Sequence, residues 1–257
     1  MGYVIDEQDM GRQRLLAHIL NRLSEPYLAR LGPTCPARWL DVGCGLGETT
    51  KMLTRFMSIH SECVGLDADP ALLEVARSQD WAGRLVSFRQ GDATSLPFED
   101  DSFDFVFTRY LLVHLPNPGK AISEMLRVAR PSGIVFAQEP DFAFNCCYPP
   151  RPSHERIAAM FAAAFPDAQI GRKLVHLFRT AGAKSPVARA DIGIEYDSAD
   201  LKKIYRMTFA AIGAALVRAG SVSESEFSDL LDDFSRVEAD PGVVVIGNPV
   251  IAVWTSA

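Results

Sequence analysis

The chain has 257 residues, 48% hydrophobic and 23% charged, enough to bury the core of a single α/β domain. A net charge of −6 and a pI near 5.4 argue against a broad binding face for nucleic acid or anionic lipid, which needs clustered excess Lys and Arg. The five cysteines are odd in number and scattered without metal-ligand spacing, so neither a disulfide framework nor a metal site is expected and a reducing cytoplasm fits.

The N-terminal stretch mixes acids with apolar residues, lacks the basic-then-apolar pattern of a signal peptide, and no run reaches the length of a transmembrane span. A soluble, unexported chain is expected. Over residues 10 to 31, Leu15, Leu16, Ile19, Leu20 and Leu23 recur at the spacing of an amphipathic helix, which Gly32, Pro33 and Pro36 then end. From Arg38, β-rich segments alternate with helical ones: RWLDVG, then 47 to 57; ECVGLD, then 70 to 79; LVSFRQGD; FDFVFTRY, then 119 to 129; GIVFAQEP. Such alternation predicts crossover helices on both faces of a doubly wound, mainly parallel sheet.

After Pro140 the rhythm changes. A Cys-, Tyr- and Pro-rich stretch at 145 to 152 leads into a helix at 153 to 165, read as an insertion over one end of the sheet. A helix at 171 to 182, a strand near 186 to 194, helices at 198 to 219 and 223 to 236, and a last strand VVVIGNPVIAVWTS complete a seven-stranded prediction. No linker or repeat divides the chain. The expected organisation is one domain: an N-terminal helical lid over 1–36, a core over 37–141, and helical insertions over 142–168 and 198–236 that cap the acceptor site.

The most informative segment is Leu40-Asp41-Val42-Gly43-Cys44-Gly45-Leu46-Gly47-Glu48-Thr49-Thr50, a strand passing through a glycine turn into a helix. Glycines there can take positive φ and let the backbone approach a ligand, while the helix start presents unpaired N–H groups. Taken alone the turn also fits a merely tight connection. Asp67 ends the next strand 20 residues after Gly47, where a carboxylate can accept both hydroxyls of a ribose, and Asp92 follows the third strand in Gly91-Asp92-Ala93. Singly, Asp67 and Asp92 also suit helix caps or turns. Together with the glycines they line up at the carboxyl edge of a parallel sheet, where ligands bind. A dinucleotide-dependent dehydrogenase is the nearest rival, but its turn is G-x-G-x-x-G and here the third glycine comes one residue early. Asp41 and Glu48 would also be poor neighbours for a pyrophosphate.

LDVGCGLGETT, VGLDADPALLEVAR and GDATSLPFEDDSFDFVFTRYLLVHLPNPGKAISEMLRVARPSGIVF resemble the successive motifs of class I, Rossmann-like S-adenosylmethionine-dependent methyltransferases, over about residues 38 to 140. The resemblance implies S-adenosylmethionine as cofactor, with the turn at Gly43, Cys44 and Gly45 against its methionine end and Asp41 facing the cationic amino group. It further implies Asp67, with Ala68, at the ribose, Asp92 at the adenine amino group, Leu72 and Ala93 flanking the adenine ring, and Arg109 lining the cofactor. Tyr3 and Arg14 loosely match a subset whose N-terminal helix closes over the cofactor.

Methyl transfer from a sulfonium is an in-line displacement in which much of catalysis is holding nucleophile, carbon and sulfur collinear in a dry site. If the acceptor loses a proton, candidate bases are Tyr110, His114, Glu139 and Asp141, with His114 best matched in ordinary pKa. His114 also fits a structural role in its loop. Phe142, Phe144, Tyr148, Met160, Phe161, Phe165, Tyr205, Met207 and Phe209 suit the walls of a site for a planar or hydrophobic small molecule, although most such residues pack insertions onto a sheet. Cys146 and Cys147 invite an arsenite-methylation reading, against which adjacent cysteines converge poorly on one ion.

The expected function is thus methyl transfer to an O, N or C atom of a small molecule, as in secondary metabolism. The alternatives are a tRNA or protein acceptor, or a non-catalytic S-adenosylmethionine-binding module. Partners beyond the small molecule are not expected, whether nucleic acid or membrane, and the chain is expected as a monomer or homodimer.

Overall fold

A computed structural model describes residues 7–195 and 199–257. A long first helix α1 (Glu7–Leu31) precedes β1 (Arg38–Val42), α2 (Glu48–Thr54), β2 (Glu62–Asp67), α3 (Pro70–Ser78), β3 (Leu85–Gln90) and β4 (Phe103–Arg109). A short 3-10 turn, Leu112–His114, leads to α4 (Pro118–Val128), β5 (Ala129–Pro140), β6 (Cys146–Tyr148), α5 (Pro152–Ala164) and α6 (Ile170–Thr180). The chain closes with β7 (Val187–Glu195), α7 (Asp200–Arg218), α8 (Glu224–Ala239) and β8 (Val244–Ser256).

Several helix starts follow local chemistry. The Asp69 carboxylate caps α3 by accepting from Ala71 N at 2.9 Å, with Pro70 in the first turn. Asn117 likewise accepts from Lys120 N at 3.2 Å ahead of Pro118, and Ser223 accepts from Glu226 N at 3.2 Å at the head of α8. These side chains satisfy amide donors that the first helical turn leaves open, and proline loses nothing there because its N–H is not needed.

The sheet runs β3-β2-β1-β4-β5-β8, with the first five strands parallel and β8 antiparallel to β5 and to β7. It has eight strands, not the expected seven. The additional strand is β6, three residues that pair with Val244–Ile246 of β8 inside the segment expected to be a helical insertion. Because Ile246 pairs with both Cys146 and Ile194, β6 and β7 flank β8 on opposite sides.

Alternation along the central strands sends aromatic rings to one face and aliphatic side chains to the other. Trp39, Phe105, Phe107, Phe136 and Trp254 pack with Leu28 of α1 and with Met52 and Leu53 of α2. The Phe107 and Phe136 rings stack at 5.2 Å and the Trp39 and Phe105 rings tilt at 4.4 Å. On the opposite face Leu40, Val42, Val106, Val135 and Ala137 join α4, α6 and the helices α5, α7 and α8 in one continuous core. Helices thus cover both faces, as the alternation predicts. Among the described residues no helix is long and apolar enough to cross a membrane, and no cluster of His, Cys, Asp and Glu could hold a metal ion.

Candidate active site

A cavity of about 520 Å³ opens at the carboxyl ends of β1, β2 and β4, the edge at which parallel sheets collect ligands. Its first end is built by the glycine turn. Gly43, Gly45 and Gly47 have φ of 77°, 52° and 85°, a region that a side chain at Cβ makes strained. A Cβ on Gly43 would also lie 2.9 Å from the Leu111 side chain, so this position tolerates only glycine beside the loop after β4.

Asp67 closes the turn from the neighbouring strand. One carboxylate oxygen accepts from Gly45 N at 2.8 Å and the other from Asp69 N at 3.0 Å. Asp67, Leu72 and Arg109 line the cavity together with Gly43, Cys44 and Gly45. Arg109 is buried, its guanidinium donating to the Ser24 hydroxyl at 2.8 Å, Asn21 Oδ1 at 3.0 Å and the Thr49 hydroxyl at 3.3 Å. None of these partners is charged, and burial pulls its pKa down to about 10. Asp41 lies beneath the cavity rather than on its wall, fully buried, and accepts from the Thr50 hydroxyl at 2.6 Å. Burial raises its pKa to about 7, partly countered by the Thr50 hydrogen bond and Arg109.

The other predicted cofactor contacts are farther out. Ala68 is exposed past the end of β2, and Ala93 is buried in the core. Asp92 is exposed, with one oxygen accepting from Thr94 N at 2.7 Å and the Thr94 hydroxyl at 2.9 Å; those bonds hold its pKa below the usual carboxylate value. Arg14 is not on the cavity wall but pairs at 3.5 Å with Glu48, which is on it, as are Arg12 and Gln13. Tyr3 lies outside the described residues.

The second end follows β4. Tyr110 has φ of 55°, unusual for a residue with a side chain, and the loop that holds it is pinned by Glu139. The buried Glu139 carboxylate accepts from Leu111 N at 2.9 Å, Leu112 N at 2.8 Å and Val113 N at 3.2 Å. Burial nevertheless raises its pKa to about 8. Glu139 is therefore a backbone anchor, not the free base considered from its strand-end position. Asp141 is corrected in the same way: both its oxygens are engaged by Arg172, at 2.5 and 2.9 Å, and it stays off the cavity wall.

Tyr110 and His114 do reach the cavity. His114 is an exposed residue on the cavity wall, and desolvation by the protein packed beside its ring, followed by the nearby Arg12 charge, lowers its pKa below the ordinary imidazole value. Of the apolar residues expected around an acceptor, Phe142, Phe161, Phe165 and Tyr205 are on the wall. Met160 and Phe209 are core residues instead, and Phe144 and Tyr148 are exposed. Sequence reasoning missed Asn248, from the last strand, which hydrogen-bonds both Tyr205 and Tyr110 on this wall. Helix α1 roofs both ends through Leu16, Ile19, Leu20 and Leu23.

Residues 40–137, the stretch that carries the glycine turn, Asp67 and Arg109, match the family described as a methyltransferase domain. This stretch therefore carries a methyltransferase domain, in keeping with its resemblance to the class I S-adenosylmethionine-dependent methyltransferases. An uncharacterized methyltransferase of Schizosaccharomyces pombe is 36% identical over 126 residues, 46% of this chain and 45% of that protein. Demethylmenaquinone methyltransferase of Staphylococcus haemolyticus is 37% identical over 100 residues, 39% of this chain and 42% of that protein. The matches thus span less than half the length of either curated relative. The crystal structure of the YcgJ protein from Bacillus subtilis shares the fold, with a TM-score of 0.59 over 92% of this chain and 97% of that one at 20% identity. The methyltransferase domain therefore supplies the charged end of the cavity, while most of the apolar end comes from residues after its matched boundary.

Proposed function

We propose that the chain transfers a methyl group from S-adenosylmethionine to an O, N or C atom of a small, apolar acceptor. The observation that carries this reading is Asp67, whose carboxylate stands at the end of β2 against Gly45 N, between a glycine turn and an apolar chamber. The donor set suits the cofactor. Asp67 is placed for the ribose hydroxyls, Leu72 for the adenine face, and the Gly43-Cys44-Gly45 backbone for the methionine end. Arg109 offers the carboxylate a cation whose present partners are neutral, and Asp41 offers negative charge beneath the ammonium group. Asp92 Oδ2 takes no hydrogen bond among the described residues and is available to the adenine amino group, with Ala93 behind it. When bound, the cofactor supplies an electrophilic methyl on a sulfonium.

The chain's own residues then orient the acceptor, exclude water and take up its proton. Helix α1 closes over the cavity as a lid that opens for cofactor exchange, and the segments 142–168 and 198–236 cap the acceptor on the 37–141 core. His114 accepts the proton of an acceptor O–H or N–H as the new bond to carbon forms, and passes it to solvent. Its lowered pKa keeps the imidazole neutral and able to do so near pH 7. A net charge of −6 and an apolar, roofed chamber favour a small molecule over tRNA or protein.

Incubating the protein with methyl-labelled S-adenosylmethionine and a panel of small aromatic and aliphatic acceptors tests the proposal. Label is expected in organic-extractable product. Label found only in precipitated RNA or protein, or cofactor binding with no transfer to any acceptor, would contradict it.

A further inference from the structure

The acceptor end of the cavity is apolar and partly aromatic, and the Tyr110 hydroxyl proton there has no acceptor among the described residues. Its wall comes from residues 110–114, Phe142, α5 and the adjoining Phe165, α7 and residues 247–250. Of the charged residues of the cavity, Glu48, Asp67, Asp69 and Arg109 belong to the cofactor end, and Arg12 of α1, whose charge reaches His114, is already paired with Asp9 at 2.7 Å. A charged acceptor would lose its hydration here with no unpaired counter-charge to replace it.

The rings give the chamber a shape. Phe142 and Phe165 lie 5.1 Å apart at only 22° to each other. His114 meets Phe165 edge-on at 5.3 Å and Tyr110 meets Phe142 edge-on at 6.3 Å. Phe142 and Phe165 are thus offset-stacked on each other, with Tyr110 and His114 edge-on to them, and this ring cluster gives a flat aromatic ligand faces and edges to pack against.

A hydrogen-bond relay fixes the polar point. The Tyr205 hydroxyl donates to Asn248 Oδ1 at 3.0 Å and accepts from Asn248 N at 3.1 Å, so both roles of that hydroxyl are filled. The orientation this imposes on the amide turns Asn248 Nδ2 toward the Tyr110 oxygen, to which it donates at 3.3 Å. Tyr110 is thereby made an acceptor from Asn248, and its own O–H proton has no hydrogen-bond partner among the described residues. A phenol donor held at the edge of an apolar cavity is satisfied by an oxygen on what enters.

We infer that the acceptor is an uncharged, planar aromatic compound bearing an oxygen that receives the Tyr110 hydroxyl proton in a hydrogen bond. This rests on the reading of the other end as the S-adenosylmethionine site. Asn248 and Tyr205 are positioning residues that fix which way Tyr110 donates, and specificity follows from the donor together with the absence of charge.

The test is calorimetric titration at pH 7 of protein saturated with S-adenosylhomocysteine, using 2-naphthol and naphthalene-2-carboxylate as probes. The naphthol is expected to bind and the carboxylate to bind at least ~10-fold more weakly, the difference of about one unreplaced polar contact. Tyr110→Phe should weaken the naphthol by ~3- to 10-fold while leaving S-adenosylhomocysteine affinity unchanged, and Tyr205→Phe should produce a smaller loss of the same kind. Equal or tighter binding of the carboxylate, no binding of the naphthol, or no effect of Tyr110→Phe would overturn the inference while leaving the cofactor reading intact. Failure of S-adenosylhomocysteine to bind the folded protein in the preliminary titration would overturn both.

Discussion

The two ends of the cavity differ in origin and in chemistry. The cofactor end is assembled from strand termini within residues 43–109, carries the charged side chains, and is tied together by short-range contacts such as Gly45 N to Asp67. The acceptor end is assembled from a loop, two helices and the last strand, carries no charge, and depends on partners as far apart as Tyr110 and Asn248. They meet at Gly43, whose missing side chain leaves room for Leu111. One end lies within the stretch that matches the methyltransferase domain; most of the other lies after it.

The largest expected effect comes from striking the junction. Gly43→Val places a branched side chain at φ of 77° and within 2.9 Å of Leu111, and should weaken S-adenosylmethionine binding by ~100-fold or more. It should also lower stability by about 1–3 kcal/mol, read by chemical denaturation. Unchanged cofactor affinity in a folded Gly43→Val protein would mean that the turn does not face the cofactor.

Glu139→Gln strikes the acceptor end alone. An amide has one oxygen for the three N–H groups that Glu139 now holds, so a stability loss of about 1–3 kcal/mol is expected, with weaker acceptor binding and nearly unchanged cofactor affinity. There is also a pH signature. The folded pKa of Glu139 is raised to about 8, above its unfolded value, so its contribution to stability is full below the unfolded pKa and is lost as pH rises through about 8. Denaturation at pH 6 and pH 9 should show the wild type losing more stability across that interval than Glu139→Gln, with Asp41 contributing a smaller loss nearer pH 7 in both proteins. Equal losses would indicate that Glu139 is already ionised at pH 6.

Asp41 gives a subtler signature at the cofactor end. With a pKa raised to about 7 it is partly protonated near neutrality, and a cation bound above it lowers that pKa, so binding S-adenosylmethionine should release a fraction of a proton. Binding heats measured at pH 7 in buffers of different ionisation enthalpy should diverge for the wild type and coincide for Asp41→Asn. The smallest effect belongs to Arg14→Ala. Its ion pair with Glu48 spans 3.5 Å on a side chain more than half exposed, and its loss should change stability and cofactor affinity by no more than ~0.5 kcal/mol. A larger loss of cofactor affinity would restore the lid contact expected of Arg14.

The same contrast explains what was legible in the sequence. Asp69-Pro70 and Asn117-Pro118 announce helix starts because capping is settled within three residues, and the glycines at 43, 45 and 47 announce a turn because only their backbone tolerates it. Asp67 follows from its place at a strand end. The acceptor end offers no such local rule. Asn248 and Tyr205 are 43 residues apart and meet only because β8 runs antiparallel beside the cap. Asp141 looked available until Arg172, 31 residues on, closed over it, and Glu139 until three amides of the β4 loop turned toward it. The three-residue β6 was hidden for the same reason, since its pairing is dictated by β8 rather than by its own composition.

The measurement that bears most directly on the central claim is calorimetric titration of S-adenosylmethionine and S-adenosylhomocysteine into the wild type and Asp67→Ala. Both compounds should bind the wild type, and the substitution should weaken each by about 1–3 kcal/mol, the cost of stranding polar groups that the carboxylate now receives. Absence of binding to a folded wild-type protein, or binding that Asp67→Ala leaves untouched, would contradict the assignment of this cavity to the cofactor.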